Sequence, residues 1–249
     1  MVSESLEPCN RTRRHLLVLG VLIVASVGST ACSTQAPTIA HVHIGHAITG
    51  HASTPKQVGY FQLAEEQAVA AVAVVDEFDS SVALDRQLET LWATMKFGDE
   101  FSFNQVLQEA SNHMVYAANS EDASANVRAG ANEFEAAIQG MLVRTDLIEL
   151  YINETKNSSS AEETMQYAEE VATLVRTNLN GEDIDNNGQI GDTPEEYGIR
   201  QLRRDIDTMI AAENPPYRTV DRWFLFNLIR MPSGDWIFRR NKSGTSTGY

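Results

Sequence analysis

The chain has 249 residues, with 34 acidic side chains against 19 basic ones and a formal net charge of −15 at pH 7. A surface of that sign repels nucleic acid and anionic lipid headgroups and attracts cations. Only two cysteines are present, Cys9 and Cys32.

The first thirty-one residues read as an export signal. Arg11, Arg13 and Arg14 precede the apolar run LLVLGVLIVASV, which ends in the small residues of STAC. Such a run is too short to span a bilayer comfortably, so export is favoured over a membrane-spanning helix. TRRHLL also resembles a twin-arginine signal, which implies folding before crossing. Ser29, Thr30, Ala31 and Cys32 resemble a bacterial lipobox, with Cys32 lipidated as the new N-terminus; Ser29 stands where a branched aliphatic residue is usual, and simple cleavage after Ala31 is the alternative. Either outcome removes Cys9. No internal disulfide can then form, and thiolate catalysis and Cys-rich zinc centres are excluded.

Residues 32–37 read as a polar tether, and 38–249 as one domain of a size that supports a real core. In IAHVHIGHAITGH, Ala40, Val42 and Ile44 alternate with Ile39, His41 and His43, which predicts a short strand carrying two histidines on one face. From Gln62 the period becomes helical. QLAEEQAVAAVAVVDEF is apolar on most sides after its first turn, and Glu65 and Glu66 there favour the helix dipole. VALDRQLETLWATM follows, with Val82, Leu84, Leu88, Leu91, Trp92 and Met95 at helical spacing. FNQVLQEASNHMVYAA has His113 bordering its apolar stripe.

SEDASANVRAGANEFEAAIQGMLVRTDLIELYINET is the longest predicted helix, and NSSS ends it. Ser160 and Glu163 have capping-box spacing at the start of AEETMQYAEEVATLVRTNL. TPEEYGIRQLRRDIDTMIAAE is a further helix. WFLFNLIRM, PSGD and WIFRR predict a β-hairpin over 222–240. The fold class is therefore mainly α: an antiparallel helical bundle with a short N-terminal strand and a C-terminal β-hairpin.

GEDIDNNGQIGDTPEEYG joins the last two helices. Numbered from Asp183, it matches an EF-hand loop at Asp183, Asp185, Asn187, Gly188, Gln189 (through its carbonyl) and Ile190, positions 1, 3, 5, 6, 7 and 8. Position 12, where a bidentate Glu belongs, is Pro194. Closure must come from Glu195 or Glu196 in a longer loop, from Asp192, or from water, giving a weak calcium site of roughly 10⁻⁴ to 10⁻³ M. The competing reading is a solvated turn, with Thr193, Pro194 and Glu196 as N-cap, N1 and N3 of the next helix.

Four of the six histidines, His41, His43, His46 and His51, fall within eleven residues. His41 and His43 on one strand face, His46 after a turn and His113 from a helix make a candidate site for zinc, copper, nickel or iron. The alternative has one or two of them hydrogen-bonded in the core and His51 exposed. HExxH and the di-iron Glu-x-x-His pair are absent, as are GxSxG and phosphate-cradling glycine loops.

HVHIGHAITGH followed by TP, then SEDASANVRAGA, and the late Asp/Asn/Gly loop together resemble a group of uncharacterised bacterial envelope (lipo)proteins, over patches amounting to about half of the mature chain. The resemblance implies a shared helical fold with an EF-hand-like loop, usually closed by Glu at position 12, and implies no activity. The expected protein is thus a periplasmic or cell-envelope, membrane-anchored binder of a divalent cation, calcium favoured. Two rival classes are an enzyme using a His-bound metal with an open position, and a metal-free interaction module presenting Trp223, Phe224 and Trp236.

Overall fold

In a computed structural model, the described residues are 38–78, 84–213 and 217, with the backbone of 228–230 and 236–238. The chain divides into two units, Met1–Gln35 and Ala36–Tyr249, and every described residue belongs to the second. The export signal and Cys32 lie outside the described residues.

The bundle is built from seven α-helices among the described residues: α1 (Ile39–Ile48), α2 (Tyr60–Val75), α3 (Leu84–Met95), α4 (Phe103–Asn119), α5 (Ala125–Asn157), α6 (Ala161–Asn180) and α7 (Ile199–Ala211). The long α5 is the spine, with α4 and α6 packed along it and α7 against it. α2 sits among α3, α4 and α6, and α1 lies against α4 and α2. Phe61, Phe103, Phe134, Leu91, Leu107, Met114, Ile138, Met141 and Ile148 fill the core with no exposed surface to speak of. Burying a large apolar side chain contributes about 1.5–3 kcal/mol each.

Helix starts follow the cap chemistry. Ser102, Ser124 and Ser160 each accept a hydrogen bond from the backbone N–H three residues on. At α6 the box predicted from Ser160 and Glu163 is half realised, because the Glu163 carboxylate accepts from Ser159 N at 3.0 Å rather than from Ser160 N. Such caps satisfy amides that have no partner inside the helix.

The N-terminal strand is a correction: residues 39–48 form a helix. Thr38 Oγ1 accepts from His41 N at 3.0 Å, and the Asp122 carboxylate accepts from Ile39 N at 2.6 Å and Ala40 N at 3.0 Å. These bonds occupy the first amides of α1, which on a strand need a neighbouring strand. The apolar alternation persisted for only six residues, whereas Ala40, Ile44, Ala47 and Ile48 also recur at helical spacing and are all buried.

At the other end of the chain, Leu228–Arg230 and Trp236–Phe238 pair antiparallel, with Ile229 opposite Ile237. The rest of the expected 222–240 hairpin, including Trp223 and Phe224, lies outside the described residues. No helix among the described residues is long and apolar enough to cross a membrane.

Candidate metal centres

The loop between α6 and α7 is organised around carboxylates. Asp183 accepts from Asn187 N at 3.0 Å and from Gly188 N at 2.8 Å, and Asp185 accepts from Asn187 N at 3.0 Å. Asn187 Oδ1 accepts from Gln189 N at 2.7 Å, while its Nδ2 donates to Asp185 at 3.0 Å and to Asp192 at 2.5 Å. Side-chain oxygens at alternate positions thus bend the chain into a tight coil. Gly188 takes φ +84 at the turn, a conformation that L side chains adopt with strain.

Glu196 closes this coil. It is fully buried, and its carboxylate accepts from Ile184 N at 3.0 Å, Asp185 N at 3.4 Å and Gly191 N at 3.2 Å. Oxygens of Asp183, Asp185 and Glu196 all lie within 4.8 Å of one another. Glu195, the other predicted closing acid, is exposed and belongs to no such group, and Asp192 does not join the convergent carboxylates. Ile190 is 42% exposed, so the apolar position of the motif is not buried in this chain.

The predicted helix beginning at Thr193 is corrected. Pro194–Glu196 is a single 3₁₀ turn, Thr193 makes no side-chain cap bond, and α7 starts at Ile199. The reason is that Glu196 turns back into the loop, while Gln201 Oε1 takes the Gly198 amide at 3.2 Å. Gly198 also allows the two loop ends to meet, since a Cβ there would stand 2.2 Å from Gly181 N.

One supporting residue carries no signal in the loop's own sequence. Arg144, from the middle of α5, donates through Nε to Asn178 Oδ1 at 2.8 Å, through Nη1 to Glu195 O at 2.7 Å, and through Nη2 to Tyr197 O. It therefore grips the backbone on both sides of Glu196. Burial pushes its pKa down to about 10, opposed by the Glu182 carboxylate, and it remains charged at neutral pH.

The histidines divide differently from the strand expectation. On a helix, residues two apart point about 200° apart, so His41 and His43 cannot share a face. His41 is 2% exposed and its Nε2 lies 2.9 Å from Glu213, whose other oxygen accepts from Ser124 Oγ and Asn126 Nδ2, each at 2.7 Å. Burial raises the Glu213 pKa, but the bonds from Asn126, His41 and Ser124 outweigh it and hold the carboxyl below its ordinary value. His41 is thereby removed from the proposed metal set and pins α1 to the end of α7.

His43 and His46, three apart on α1, do share a face, and His113 from α4 meets them. His43 Nδ1 and His113 Nδ1 are 3.4 Å apart, and a nitrogen from each of His43, His46 and His113 lies within 4.8 Å of the others. His51, read alternatively as exposed, is half-buried and packs beside the cluster, with its ring centroid 4.6 Å from His46 and 5.4 Å from His113, but its nitrogens are not among the three that converge. Tyr60 stacks on His113 at 5.6 Å, and Tyr116 stands edge-on to it at 5.9 Å.

The cluster is held in its uncharged form. Burial, followed by the neighbouring histidines, pushes the pKa of His46 to about 4 and that of His113 to about 3. Burial also lowers His43 and His51, opposed respectively by Asp122 and Glu109. Neutral imidazoles keep a lone pair for a metal. The Nδ1 of His46 is buried without a hydrogen-bond partner.

No protein family, curated protein or solved structure matches the chain. The functional reading therefore rests on these two clusters.

Proposed function

We propose that this chain is an exported protein of the bacterial envelope, anchored through a lipid on Cys32, that binds calcium in the loop 183–196. Asp183, Asp185 and Asn187 supply side-chain oxygens, Gln189 its carbonyl, and Glu196 the closing carboxylate. The observation that carries this reading is the convergence of Asp183, Asp185 and Glu196 oxygens within 4.8 Å, with Glu196 fully buried. Among the described residues no lysine or arginine forms an ion pair with Glu196. A buried carboxylate is costly without a compensating charge, and a hard divalent cation supplies one.

The two-residue extension that displaced Glu from position 12 is accommodated by the 3₁₀ turn, which brings position 14 to the ligand point. The role is binding: the ion stiffens the α6–α7 joint in proportion to its occupancy. In the same proposal the C-terminal hairpin over 222–240 completes the domain.

The test is calcium titration by calorimetry of wild type, Glu196→Gln, Glu195→Gln and an Asp183→Ala, Asp185→Ala double variant. Saturable binding near 10⁻⁴ to 10⁻³ M is expected in wild type, unchanged in Glu195→Gln and lost in the other two. Absence of saturable binding in wild type makes the loop a carboxylate-capped turn and defeats the proposal.

A further inference from the structure

We infer that His43, His46 and His113 bind one transition-metal ion of the zinc–copper class, at a centre separate from the calcium loop and independent of it. Three observations converge. His43 and His46 present their rings from one face of α1 toward His113 on α4, so two rigid helices fix all three ligands. One nitrogen pair already lies at ligand spacing: tetrahedral zinc with Zn–N near 2.0–2.1 Å sets its ligand nitrogens about 3.3–3.4 Å apart. His43 Nδ1 and His113 Nδ1 are 3.4 Å apart, and a nitrogen of His46 lies within 4.8 Å of a nitrogen of each.

His46 supplies the third, independent sign. Its ring is 5% exposed and its Nδ1 has no hydrogen-bond partner, although buried polar nitrogens are ordinarily paired. His46 sits among His43, His51 and His113, with ring centroids at 6.1, 4.6 and 5.1 Å. A metal in that space gives this group the partner it lacks.

His51, on the segment after α1, stands beside this set and outside it. Ser53 holds its Nδ1, with Oγ at 2.6 Å and the backbone N–H donating at 3.3 Å. The Nδ1 that accepts this bond uses its lone pair there and the ring proton lies on Nε2, so neither nitrogen is left for the metal. Tyr60 hydroxyl lies 3.0 Å from Ser53 Oγ and 3.4 Å from His51 Nδ1, which anchors this neighbouring ring on α2.

The ligand chemistry selects the ion. An all-imidazole set lacks the hard oxygens that calcium and magnesium require and suits zinc, copper, nickel or iron. For a given nitrogen site the divalent series peaks at copper, so copper(II) should bind more tightly than zinc(II).

The experiment is titration of chelator-treated, untagged protein with zinc chloride and with copper(II) chloride, by calorimetry and by copper(II) electron paramagnetic resonance. One ion per chain is expected, with copper(II) tighter and a spectrum showing several nitrogen ligands. His46→Ala and His113→Asn should each weaken binding by more than the roughly 10–100-fold that loss of an outer-shell partner costs. Millimolar calcium should not compete, and the Asp183→Ala, Asp185→Ala variant should bind zinc as wild type does.

If His46→Ala fails to fold, His43→Asn, at the half-buried edge of the cluster, gives the same reading. No binding of either metal by wild type overturns the inference, as does binding unchanged in the histidine variants. Loss of zinc affinity in the aspartate variant overturns the independence of the two centres.

Discussion

His46 and His113 set a pH dependence in the metal-free protein. Both titrate in the folded chain at about 4 and about 3, well below the ordinary imidazole value of 6.5. The unfolded chain therefore binds more protons as pH falls below about 6.5, and linkage shifts the balance toward unfolding. Stability from these groups is fully present above pH 6.5 and declines progressively toward pH 3. Urea unfolding of chelator-treated protein at pH 7.5, 6 and 5 should show the midpoint falling stepwise, and His113→Asn should flatten the profile. Arg144 yields a second prediction at this scale. Because its guanidinium grips the carbonyls of Glu195 and Tyr197, Arg144→Met should weaken calcium binding by about 10–100-fold, as loss of an outer-shell support does. Arg144→Lys should rescue little, because a single ammonium cannot reproduce the planar fork. Calorimetric titration of the two variants beside wild type measures both effects.

At the scale of elements, α1 is held by side chains distant in sequence. Removing Glu213 leaves His41, Ser124 and Asn126 facing an emptied buried site. Leaving a buried polar group unsatisfied by deleting its partner costs about 1–3 kcal/mol for each such group. Glu213→Ala is therefore expected to destabilise by that order, while Thr38→Ala, which removes only a cap, should cost about 1 kcal/mol. Equilibrium unfolding in urea separates the two. The same element explains what could be read in advance. α4, α5 and α6 show apolar residues at three- and four-residue spacing beneath serine caps, and their periodicity sufficed. α1 is buried on nearly every side, so it has no polar stripe to mark a helix, and its short alternation mimicked a strand. The coil of the loop was legible through its first eight positions because the Asp and Asn hydrogen bonds that shape it are local. Its closure by Glu196 depends on a 3₁₀ turn, and its support by Arg144 spans 51 residues. His113 was legible as a ligand type bordering an apolar stripe, whereas the loss of His41 to Glu213 lies 172 residues away and leaves no local signal.

For the whole molecule, the proposed weak calcium site predicts a stability that follows the surrounding calcium concentration. An ion that binds only the folded chain stabilises it by RT ln(1 + [L]/Kd). With Kd of roughly 10⁻⁴ to 10⁻³ M, about 10 mM calcium stands at 10 to 100 times Kd and contributes about 1.4–2.7 kcal/mol. In a domain of about 150–250 residues each kcal/mol moves Tm by about 2–4 °C, so a rise of roughly 3–10 °C is expected. The proposed site lies where α6 and α7 meet, with both packed against α5, so the effect of a bound ion should appear in the cooperative transition and not as local stiffening alone. Thermal unfolding followed by circular dichroism in 10 mM calcium, in 10 mM magnesium and in chelator makes the comparison. Magnesium should raise Tm less, because it demands near-ideal octahedral geometry and dehydrates reluctantly. In Glu196→Gln the calcium and chelator curves should coincide, which ties the shift to the closing carboxylate and not to screening of the negative surface.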